Sequence, residues 1–67
     1  MTIQTLIFDN EGRILNKVFK GQINTPRFGD DPKDAIRFDN DLDAQKFINT
    51  MLPHFKNRLS LQHFVKS

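Results

Sequence analysis

The chain has 67 residues, no cysteine, ten Lys and Arg against eight Asp and Glu, and a formal net charge of +2. At that length one core is all it can build, with a net stability of about 3–5 kcal/mol, so a single α+β domain over residues 1–67 without a deep catalytic cleft is expected. A disulfide framework and a thiolate zinc site are excluded, no apolar run approaches a membrane span, and Met1 to Phe8 lacks the features of a secretory signal, which together favour a cytoplasmic setting.

Ile3 to Phe8 is rich in β-branched and aromatic residues, Asp9-Asn10-Glu11-Gly12 is a turn signal, and Arg13 to Lys20 resumes a strand-like run, which predicts a hairpin. With Phe8 opposite Arg13, one face carries Leu6, Phe8, Leu15 and Phe19 and the other Ile3, Ile7, Ile14 and Val18; a one-residue slip reshuffles the sets but leaves both apolar. Gly21 to Asp34 collects Gly21, Pro26, Gly29 and Pro32 and reads as a long loop. Ala35 to Phe38 reads as a short third strand. Asn40 is the expected helix N-cap, helped by Asp43 three residues on and by Asp41 at the positive end of the dipole. Ala44, Phe47, Ile48, Met51, Leu52 and Phe55 follow with helical spacing and form one apolar stripe. Pro53 predicts a stop at Leu52 or a kink into one further turn. Leu59, Leu61, His63 and Val65 alternate with polar residues, so a strand closes the chain. The expected architecture is a small antiparallel sheet of three to four strands with one helix on one face, in the order β-β-loop-β-α-β.

One helix covers one face of such a sheet, and the hairpin is apolar on both. The second face therefore needs a cover: the Gly21–Asp34 loop with Ile23 and Phe28 as plugs, a second copy of the chain, or a different protein. Ile3, Ile7, Leu15, Phe19 and Phe28 are the candidate interaction surface. The seven phenylalanines, with no Trp or Tyr beside them, read as core material.

Site chemistry is sparse. Asp39, Asp41 and Asp43 have the spacing that opens an EF-hand loop, but Ala44 stands where that loop needs glycine and Thr50 where it needs a bidentate acid, so helix capping accounts for them. Asp30, Asp31 and Asp34 read as a solvated acidic loop. His54 and His63 are the only histidines; neither has a nucleophile and an orienting acid beside it in sequence, and His63 shares a strand face with Leu61 and Val65 as a partly buried packing residue. No catalytic residue, metal ligand, cofactor or small-molecule substrate is implied.

Six of the eight acids fall between positions 30 and 43, and the rest of the chain is basic. If strands two and four approach each other, Lys17, Lys20, Arg27, Lys56, Arg58 and Lys66 gather into a stripe able to follow a phosphate backbone, which makes nucleic-acid binding the alternative to a protein or self partner.

The stretch Ala35-Ile36-Arg37-Phe38, the capping segment, Ala44 and Phe47-Ile48 resembles a pattern in many small uncharacterised proteins of Gram-positive bacteria and their phages, where a hairpin precedes an A-x-R-F strand, an alanine-bearing helix and a final strand. The resemblance implies this fold and an accessory or phage setting, and carries no activity.

Overall fold

In the computed structural model, which describes residues 2–66, the chain runs β1 (Thr2–Phe8), β2 (Ile14–Phe19), β3 (Thr25–Gly29), a 3-10 turn (Pro32–Asp34), α1 (Asp41–Met51), a second 3-10 turn (Lys56–Arg58) and β4 (Ser60–Lys66). The four strands form one curled antiparallel sheet in the order β3-β2-β1-β4, giving the α+β class read from the sequence.

The first turn sets the register. Asp9 Oδ1 accepts the N–H of Glu11 at 2.9 Å and of Arg13 at 2.8 Å, and Gly12 takes a φ of +83°, so the strands meet with Phe8 opposite Ile14. That is one residue from the Phe8–Arg13 pairing considered above, and it places Ile14 with Leu6 and Phe8, and Leu15 with Ile7. A bulge at Asn16 then lets Leu15 and Val18, three apart, reach the same core.

The third strand is Thr25–Gly29, inside the stretch expected to be a loop, and Ala35–Phe38 is not a strand. Pro26 and Gly29 weaken the strand signal, but an edge strand tolerates both, because the side facing away from its neighbour needs no N–H. Ala35–Phe38 is instead a wedge. β1 and β2 pair only beside their turn and then splay, and the segment enters the gap: Phe38 exchanges N–H···O bonds of 3.0 and 2.8 Å with Thr5, and the N–H of Ile36 donates to the carbonyl of Leu15 at 3.0 Å. Backbone groups stranded by the divergence are thus paired.

The helix follows its signals. Asn40 Oδ1 accepts the N–H of Asp43 at 2.8 Å, the helix ends at Met51, and after the Pro53 stop the N–H of Phe55 donates to Leu52 at 3.0 Å, returning Phe55 to the core. Ala44, Ile48 and Leu52 bury against Ile7 and Leu15, ringed by Val18, Phe28, Ile36, Phe38, Phe47, Met51, Phe55, Leu59 and Leu61.

The far face is apolar too, and is covered from within the chain. Leu6, Phe8 and Ile14 are buried there against Ala35, and the Phe64 ring stacks on Phe8 with centroids 5.8 Å apart. Arg37 fastens this cover, donating to Gln4 Oε1 and to the Pro32 carbonyl at 2.9 Å each. The expected plugs do not serve: Phe28 belongs to the helix-side core and Ile23 is exposed. Among the described residues no helix is long and apolar enough to cross a membrane.

Candidate interaction surface

The five residues named from the sequence as an interaction surface do not form one. Ile7 and Leu15 are fully buried beneath α1 and Phe28 is half-buried on the same side, because the register turns them toward the helix. Ile3 and Phe19 are exposed, at 56% and 45%, but on opposite faces: Ile3 alternates in phase with Ile7, whereas Phe19 is out of phase with the inward Val18 and lies under the Lys17 ammonium, 5.0 Å from its ring centre.

The basic set is also divided, because β1 lies between β2 and β4 and strands two and four do not approach. Lys17 and Arg27 are register partners across β2 and β3, with Lys20 just beyond β2. Lys66 is on the opposite edge strand. Lys56 and Arg58 occupy the second 3-10 turn, where Arg58 lines a cleft of about 230 Å³ whose other charged residues are the acids Asp9 and Glu11.

Exposed apolar side chains do gather elsewhere. Helix α1 shelters the Ile7 and Leu61 part of the sheet and leaves the far end of the β1–β4 ladder open, where Ile3 pairs with Val65. Ile3, Val65 and Leu42 of the first helical turn are exposed there at 56, 61 and 64%. Ile3 and Leu42 line an open groove of about 500 Å³ together with Asp39, Asn40, Asp41 and His63.

A three-residue tie runs through this groove. Thr5 and His63 are cross-strand partners, so their side chains rise from the same face of the sheet below the start of α1. Asp41 Oδ1 accepts the Thr5 hydroxyl at 2.8 Å and meets His63 Nε2 at 2.7 Å. These bonds, the Thr5 hydroxyl first and His63 second, hold the Asp41 carboxyl below its ordinary value of 3.8 despite an opposing desolvation. His63, expected as a partly buried packing residue with no acid beside it, is exposed and has Asp41 beside it. Its strand face was readable from the alternation, but the register that sets it opposite Thr5 was not. The carboxylate sits between hydroxyl and imidazole, and Thr5 is 1% exposed with its proton directed at Asp41, so the three fasten helix to sheet and do not form a nucleophile with its base. Asp41 is thereby committed to this tie as well as to the helix dipole.

Compared with protein-family models, curated proteins and solved structures, the chain matches none.

Proposed function

We propose that the chain is a non-enzymatic protein-interaction module, an accessory protein whose first partner is a second copy of itself, met through the open end of the β1–β4 ladder. The observation that carries this reading is the clustering of exposed Ile3, Leu42 and Val65 at the end of the sheet that α1 does not reach. Scattered apolar residues are ordinary on a surface, whereas neighbouring ones beside a groove are a docking feature. The resemblance carried by Ala35-Ile36-Arg37-Phe38 supports an accessory role in a Gram-positive bacterium or its phages.

Sedimentation velocity from micromolar to millimolar concentration tests the proposal. The weight-average mass rises with concentration, and Ile3→Asp with Val65→Asp abolishes the rise; a strict monomer throughout overturns it. The adjacency of Lys17 and Arg27 favours one second reading, contact with a nucleic-acid backbone through these two and Lys20. Amide resonances of these residues that stay fixed when mixed oligonucleotides are added at low salt end that reading.

A further inference from the structure

The two edges of the sheet are built differently. β3 is short and carries Pro26, which has no N–H to offer, and the charged Arg27, the usual protections of an exposed edge. β4 has seven residues with no proline, glycine or bulge, and between Ser60 and Val65 its only ionisable side chain is His63.

The direction of the free backbone groups on β4 follows from the wedge. Thr5 exchanges both its backbone bonds with Phe38, so its N–H and carbonyl point away from β4. Thr5 and His63 are therefore a non-hydrogen-bonded pair, and by the alternation of an antiparallel ladder Gln4–Phe64 and Leu6–Gln62 are the bonded ones. The backbone groups of Leu61, His63 and Val65 consequently face outward. β4 has no strand partner on that side among the described residues.

We propose that this edge pairs antiparallel with β4 of a second copy, about a two-fold axis at His63, joining two sheets into one of eight strands. The proposal rests on the self-association read above and takes Val65 of that exposed cluster into the interface, with Ile3 beside it on β1. An axis at His63 overlaps all seven residues. His63 then faces His63 of the second copy, and Leu61 faces Val65 in both directions, so three residue pairs each exchange two backbone bonds. Apolar Leu61 meets apolar Val65 on the helix side, and Gln62 lies beside Phe64 on the other. Lys66 falls opposite Ser60, so no two lysines meet. Axes at neighbouring residues shorten the ladder and lose these matches.

Because the chain has no cysteine, single cysteines report the register. In a bonded antiparallel pair the Cα atoms are about 5.5 Å apart, within disulfide reach. Under mild oxidation His63→Cys gives a covalent dimer, Leu61→Cys alone does not, and a mixture of Leu61→Cys with Val65→Cys gives the mixed dimer. His63→Pro removes an outward N–H while leaving the β1 backbone bonds in place, and weakens self-association about tenfold or more relative to His63→Ala, which loses the same bond to Asp41 but keeps its N–H, with amide dispersion of β1 confirming the fold in both. A dimer that withstands His63→Pro, or that links Leu61→Cys to itself, overturns β4 pairing and leaves the interaction reading standing. A strict monomer overturns both.

Discussion

Among the described residues Thr5 is the one buried polar side chain, and its hydroxyl donates to the carboxylate of Asp41. Because that carboxyl is held below 3.8 in the folded chain, the tie contributes stability that is complete above the unfolded value and is lost as pH falls through the lower folded one. Acid unfolding followed by circular dichroism should therefore steepen below about pH 4, and Asp41→Asn should flatten that limb. Thr5→Val preserves shape but removes the strongest stabiliser of the carboxylate, so NMR titration should find the Asp41 midpoint moved upward toward its ordinary value; an unchanged midpoint would show that the hydroxyl does not hold the charge. At Gly12 the constraint is conformational and not steric, since an added Cβ there meets nothing within 4 Å while φ is +83°. Gly12→Ala should cost about 1–2 kcal/mol in urea unfolding, and Gly12→Asn less.

At the scale of elements, α1 was legible because three signals agree: an Asn40 cap, an apolar stripe at helical spacing and a proline stop. Its centre is Ile48, 2% exposed in the main cluster, and Ile48→Ala should destabilise the fold by about 2–5 kcal/mol, enough to unfold much of a domain this small. Asn40→Ala should cost about 1 kcal/mol by freeing the N–H of Asp43. β3 and the wedge depart from the expected pattern for one shared reason. Thr25-Pro26-Arg27-Phe28-Gly29 is a weak strand made viable by its edge position, and Ala35-Ile36-Arg37-Phe38 alternates like a strand but meets two neighbours with too few pairs to be one. Local propensity registers neither fact. The Thr5–Asp41–His63 tie was hidden similarly, since its members lie 36 and 22 residues apart and only the register joins them.

Over the whole molecule, the sheet is protected unevenly. Both faces are apolar in the hairpin, as the alternation indicated, but Ala35, Arg37 and Phe64 complete the far side from within the chain, so the open surface lies at the β1–β4 end and not across a face. Hydrogen exchange should show this pattern: the amides of Leu61, His63 and Val65 exchange rapidly in dilute solution and slow as concentration rises, while those of Leu6 and Gln4 stay protected throughout. Equal protection along both sides of β4 at low concentration would contradict the bonding parity from which the edge was derived.

The wedge gives β1 and β2 a history as well as a shape. A hairpin left to itself zips from its turn to its ends, and here it is stopped near the turn because residues from further along the chain occupy the seam. Closing the ribbon would turn Ile36 and Phe38 out of the helix-side core, so their packing there holds the seam open. Shaving them to glycine would lose more than their packing: it would let the ribbon close, trading one topology for another.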